Sequence, residues 1–290
     1  MSPGSLGTEA EILGSLCQHR ALSTPQVRAI HLPERSARTA QQAMAGLARR
    51  GLVAFATVPG VPGAPRRLWY VTEAGAEAAR DAGVLDGPPR LLSAEQVTGP
   101  LRAHTVAVND VGISFLEAAR QRGDEFGPSS WRHEVGHPLN ARRGRERRAL
   151  YADALITYVR LTAEELVVEQ RFLELDRATL SIDRLVAELS GYARLYKASG
   201  ADGEPYWRER YPWFPPVLCV LTGASRAALE RRRNAAVAML ARDLELGRTP
   251  EVSVRICLAS DLRDAGPFAP IFTDVREPGA PTDWLVGEAG

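Results

Sequence analysis

The chain has 290 residues, 45% of them hydrophobic and 24% charged, an ordinary globular composition with enough length for two domains. Its formal net charge of +1 excludes a molecule drawn to nucleic acid by its overall field, so any basic footprint is local. Three scattered cysteines (Cys17, Cys219 and Cys257) form no disulfide or metal pattern, no apolar run reaches membrane-spanning length, and the opening residues lack a signal-peptide pattern; a cytoplasmic protein with no membrane partner is expected.

Thr8 can cap a helix running to about His19, with Ile12, Leu13, Leu16 and Cys17 on its apolar side. Ser23-Thr24-Pro25 is a second helix start, and Ser36 opens a third helix that ends at Gly51. Strands are expected over 52–58 and 66–72, joined by a Pro/Gly-rich turn at 59–65 and followed by a short helix from Glu73. Three helices and a β-hairpin give the order of a winged helix-turn-helix, expected over residues 1–86. In that reading the third helix enters a major groove, with Arg38, Gln41, Gln42 and Arg49 near double-stranded DNA, and Arg66 and Arg67 on the wing meet phosphate.

Residues 87–99 read as a linker. A helix follows from about Pro100 to Arg122, then a short strand at Trp131–Val135. Next comes the basic run Arg142, Arg143, Arg145, Arg147 and Arg148, too charged for a core element and placed to contact DNA. Two strands around Asp153 and Glu174 lead to a helix capped by Ser181, a buried strand at Val217–Leu221, a basic helix from Ser225 and a strand at Val252–Leu258. The second domain is expected over 100–265, with an irregular tail over 266–290.

The chemistry concentrates in Tyr151–Ala178. Residues two apart on a strand share a face, so Glu174 and Asp176 point together, and Asp153 on the neighbouring strand can oppose them. Carboxylates that close repel unless a proton or a cation neutralises them, and the set suits a hard cation, Mg²⁺ or Mn²⁺. Asp153, Glu174 and Asp176 are the candidate catalytic residues. Glu134 on the preceding strand is a further candidate metal ligand beside Asp153 and Glu174. A structural alternative has arginines such as Arg171 and Arg177 neutralise the acids in an ion-pair network.

The order helix, three strands, helix, strand, helix, strand resembles the PD-(D/E)XK nucleases, so an α+β or α/β fold with a restriction-endonuclease-like αβββαβ domain is expected. The resemblance implies that Asp153 and Glu174 hold the metal. Asp176 stands where that fold usually carries a Lys, and Lys197, the only lysine of the chain, lies at the far end of the next helix. The N-terminal layout, His104-Thr-Val-Ala-Val-Asn-Asp110, the Ala-Asp-Ala around Asp153, Phe172-Leu-Glu-Leu-Asp-Arg-Ala-Thr179 and the Leu185, Leu189, Tyr192, Tyr196 spacing together resemble the replication-relaxation family over about residues 8–222. This implies a DNA-binding protein of plasmid or mobile-element replication, relaxation or mobilisation that nicks DNA with a metal. The alternative is an inactive regulator or relaxosome accessory that uses a degenerate nuclease fold. A homodimer and plasmid transfer or replication proteins are the candidate partners. Glu188 stands where relatives often carry a Lys.

Three other patterns are weaker. His133-Glu-Val-Gly-His137 has the spacing of a zinc metalloprotease, but Gly136 and Pro138 oppose the helix that such a site needs. Tyr151 and Tyr158 are available as nucleophiles but nothing marks them. Trp207, Tyr211, Trp213 and Phe214 suit either base stacking or covering of a sheet edge.

Overall fold

The structure is a computed structural model that describes residues 3–58, 66–85, 87–89, 91–99, 102–140 and 148–285, with side chains from residue 7 onward. The chain forms two compact units, residues 1–116 with 127–129, and residues 117–126 with 130–290.

The first unit opens with α1 (Pro3–His19), β1 (Leu22–Ser23), α2 (Thr24–His31) and α3 (Ala37–Arg49). Ser23 and Gln26 form a reciprocal capping box at the start of α2, with Pro25 in its first turn. Ser36 caps α3 through the Thr39 amide at 3.1 Å, and Gly51, at φ 72°, reverses the chain after it. Then come β2 (Val53–Val58), β3 (Arg66–Val71), α4 (Glu73–Asp81) and α5 (Ala94–Thr98). The strands form an antiparallel sheet in the order β1-β3-β2. Two-residue β1 carries no sequence periodicity and was not expected. Leu16 of α1, Val27 of α2, Met44 and Leu47 of α3 and Trp69 of β3 are fully buried, and the Trp69 indole donates to Thr24 Oγ1 at 2.8 Å. The segment read as a linker carries α5, closed by a Ser93–Gln96 capping box.

After α6 (Arg102–Arg122) come β4 (Trp131–Pro138), β5 (Ala149–Leu161), β6 (Leu166–Asp176), α7 (Ile182–Lys197), β7 (Val217–Leu221), α8 (Arg226–Leu240), α9 (Leu244–Gly247), β8 (Val254–Leu258), α10 (Ala259–Ala265) and β9 (Thr273–Asp274). The six strands of the second unit form one mixed sheet in the order β4-β5-β6-β7-β8-β9. The β4–β5 and β5–β6 pairs are antiparallel, β6–β7 and β7–β8 parallel, and β8–β9 antiparallel. Every residue of β7 and β8 is buried, as central strands covered on both faces require.

One face of this sheet packs against α7 and α8, through Leu185, Leu189 and Tyr192 of α7 and Leu229, Val237 and Leu240 of α8. The other face carries Tyr158 in an aromatic cluster with Phe126, Phe268 and Trp284. The tail is therefore less irregular than its Pro/Gly content predicts. It adds β9 to the sheet edge and buries Trp284 completely, with the Arg171 guanidinium 4.9 Å from the indole ring centre. Architecture and element order are those of an α+β protein with helices and a mixed six-stranded sheet.

Candidate functional site

The site lies where two strands part. The ladder between β5 and β6 runs from Leu161 opposite Leu166 to Ala154 opposite Leu173, and Asp153 and Glu174 are the next residues along it. There the Leu175 amide donates to Asp153 Oδ2 at 2.8 Å, a side-chain oxygen standing in for a strand carbonyl. The strand β5 changes face at this point. Ala152 and Leu155, three residues apart, both pack in the core beneath α7, which a regular strand of period two does not allow.

On β4, His133 pairs with Ala154 and Val135 with Ala152, so Glu134 falls opposite Asp153. Glu174 pairs with Cys219 of β7. Register thus brings Glu134, Asp153, Glu174 and Cys219 into one row across four strands. Glu134 is exposed and sits at φ 50°, a left-handed conformation that costs a non-glycine residue on the order of 1 kcal/mol.

Asp153 and Glu174 are both half-buried. The Tyr192 hydroxyl of α7 donates to Glu174 Oε1 at 2.5 Å. Burial first, then the negative charge of Asp153, push the Glu174 carboxyl well above the usual carboxylate range, against the pull of the Tyr192 hydrogen bond. Glu188 of α7 adds to the push, and a hydrogen bond between the Asp153 and Glu174 carboxyls raises it further. Tyr192 is fully buried, and burial followed by the Glu174 charge holds its phenol well above the ordinary range.

Asp176 lies two residues further along β6 and faces the same helices, but it is occupied. Arg232 of α8 grips it at two points, Nε to Oδ2 and Nη2 to Oδ1, the latter at 3.1 Å, and the Ala178 amide donates to Oδ1 at 3.1 Å. The ion pair is almost dry, with the Asp176 side chain 7% and the Arg232 side chain 13% exposed. Arg232 is thus paired and largely shielded from solvent within the basic helix read from Ser225. Of the arginines expected to neutralise the acids, Arg171 does not do so. It points to the opposite face, where it pairs with Glu169 at 2.9 Å. Lys197 bonds Glu245 of α9.

Tyr192 and Arg232 are site residues that the sequence reading missed as such. Arg232 had a signal. Leu229, Arg232, Ala236 and Leu240 follow each other at spacings of three and four, so Arg232 interrupts the buried stripe of α8.

Among the described residues no group of three or more His, Cys, Asp and Glu side chains is arranged to hold a metal ion. The expected arrangement of Asp153, Glu174 and Asp176, or Glu134, around one ion is therefore not assembled. What remains is the Asp153–Glu174 pair.

Arg38, Gln41, Gln42 and Arg49 are exposed on α3. Arg66 and Arg67 are exposed on β3, where the Arg67 guanidinium lies 4.6 Å from the Phe55 ring centre. Arg142, Arg143 and Arg145 fall outside the described residues. The His133–His137 motif lies on β4 instead of a helix. His137 is buried against Tyr211, its Nε2 2.7 Å from the hydroxyl, and burial, then Arg210, pushes its imidazole down to about 4. Tyr158 donates to Asp124 at 2.8 Å inside the core. Trp207, Tyr211 and Phe214 pack in the core around Phe172 and Tyr196, and of the four aromatics Trp207, Tyr211, Trp213 and Phe214, Trp213 alone is exposed.

Fold and site define an α+β protein in which a mixed sheet presents a half-buried acid pair beneath two helices. The replication-relaxation family model matches residues 13–206, and the chain belongs to that family. No curated protein and no solved structure matches it.

Proposed function

We propose that this is a DNA-binding protein of plasmid or mobile-element replication, relaxation or mobilisation, whose second unit is a PD-(D/E)XK-like domain that nicks DNA with a divalent cation. The observation that carries the reading is the Asp153–Glu174 pair: two half-buried carboxyls brought together at the parting of β5 and β6, an arrangement that a proton or a cation relieves. The donor set is hard oxygen and suits Mg²⁺ or Mn²⁺, which protein sites commonly hold by one or two carboxylates with water completing the shell. Asp153 and Glu174 would hold the ion, and Asp176, spent on Arg232, would not. Once bound, such an ion lowers the pKa of a coordinated water and stabilises charge on phosphate. The chain's own residues prepare that place: Tyr192 fixes the Glu174 carboxyl, the Leu175 amide fixes Asp153, and the aromatic core beneath α7 keeps water from the buried side.

The first unit has the element order of a winged helix. Its α3 turns Arg38, Gln41, Gln42 and Arg49 outward at positions three, four and seven apart, suited to a major groove, and it carries no acidic residue. A second reading, a catalytically inactive DNA-binding accessory, is favoured by the neutralised Asp176.

Calorimetric titration with Mn²⁺ and nicking of supercoiled DNA, measured on wild type and Glu174→Gln, decide between them. Wild-type binding and nicking, both lost in the variant, are the expected result. Duplex binding with neither Mn²⁺ binding nor nicking would establish the accessory.

A further inference from the structure

The two-point pair of Asp176 and Arg232 has a feature that a purely structural tether leaves unexplained. Nε and Nη2 of the guanidinium donate to Asp176, while Nη1 donates to no residue among those described. The fork is thus held rigid by two nitrogens with a third left unspent. It lies beside the acid pair, because Asp176 is two residues from Glu174 on β6, and the buried Cys219 thiol feels the charges of Asp176, Glu174 and Asp153 together. Stability alone gives little reason to keep such a pair, since a buried ion pair often contributes no more than an apolar replacement. Guanidinium is the side chain best shaped for phosphate, and holding it in advance lowers the entropy lost when an oxygen binds.

We propose that Arg232 is the phosphate-binding cation of this site: Asp176 orients the guanidinium, and Nη1 meets a non-bridging oxygen of a DNA phosphodiester beside Asp153 and Glu174. A Lys at position 176 would place the cation on β6 itself; here α8 supplies it and β6 supplies its counter-ion. Asp176 is a positioning residue, acting through Arg232. This assignment rests on the DNA-binding reading above and names the group that holds the phosphate.

The test is the salt dependence of binding of a short DNA duplex to the full chain in Ca²⁺ buffer, by fluorescence anisotropy. Wild type is compared with Arg232→Lys and with Asp176→Asn/Arg232→Gln. The double variant removes both charges at once, so that no carboxylate is left buried and unpaired. Loss of one phosphate contact shrinks the slope of log affinity against log salt by about 0.9, and that is the result expected of the double variant, with Arg232→Lys close to wild type. An unchanged slope in a double variant that melts like wild type overturns the assignment of Arg232 alone. Absence of duplex binding by wild type overturns the DNA-binding reading and this assignment with it. Should the double variant not fold, ¹⁵N resonances of the wild-type arginine side chains are followed on adding duplex: a shift of Arg232 supports the proposal, and an unmoved Arg232 at saturation overturns it.

Discussion

Two titratable groups in the second unit, half-buried Glu174 and buried His137, act on stability in opposite senses. Glu174 binds its proton more tightly folded than unfolded, because burial and Asp153 raise its pKa. Its contribution is full in acid and is lost as pH rises from the ordinary carboxylate range through the raised folded value. His137 is the reverse. Its folded pKa of about 4 lies below the ordinary imidazole value, so its contribution is full above about pH 6.5 and is lost as pH falls toward 4. At 1.36 kcal/mol per unit, His137 is worth up to about 3 kcal/mol across that window. Denaturant unfolding of metal-free protein against pH should show both. Glu174→Gln, which keeps a partner for the Tyr192 hydroxyl, should abolish the decline on the alkaline side. His137→Gln, which keeps a partner for Tyr211, should abolish the loss on the acid side. An acid-side loss that persists in His137→Gln would assign that titration to other groups.

At the level of elements, tight approach decides more than propensity. The carbonyl of Leu52 comes so close to Gly75, in the first turn of α4, that a Cβ there would lie 1.9 Å from its oxygen. Backbone cannot yield that distance cheaply, so Gly75→Ala should destabilise the first unit by at least about 2 kcal/mol, read from its denaturation midpoint. A variant within 0.5 kcal/mol of wild type, about the scatter of a neutral surface change, would show that the turn relaxes. Much at this scale was legible in the sequence. Ser23, Ser36 and Ser181 announce α2, α3 and α7 because an N-cap signal needs only the serine and the amides two or three residues on. The continuous apolar run of β7 was equally plain, and β8 was legible as a strand although Arg255 interrupts its apolar residues. The parting of β5 from β6 was not, because alternation along a strand says nothing about where a neighbour leaves it. The grip of α8 on β6 was hidden for another reason. A buried arginine is indistinguishable by type from a solvated one, and its partner Asp176 lies 56 residues away. The strand content of the tail was hidden too, since β9 is formed by pairing and not by propensity.

The proposed function divides the chemistry of the molecule between two units, and that division is itself testable. A net charge of +1 conceals how unevenly charge is placed: α3 carries Arg38 and Arg49 with no acid over its whole length, while the second unit concentrates acids at the row of Glu134, Asp153 and Glu174. Overall composition therefore could not reveal the acid-free basic face of α3; the combination of helix order and exposed basic positions could. If α3 supplies the duplex contact, Arg38→Ala should weaken duplex binding at every sequence or relax preference at one base. A change in salt slope of about 0.9 marks a phosphate contact, and an unchanged slope with altered preference marks a base contact. Either result should leave Mn²⁺ binding by the second unit untouched, because the acid pair is built wholly from β5 and β6 and braced by α7. The converse variant, Asp153→Asn, should lose Mn²⁺ and retain duplex affinity measured in EDTA. Coupled losses, with each variant abolishing both activities while still folded, would contradict the division and require one composite site in its place.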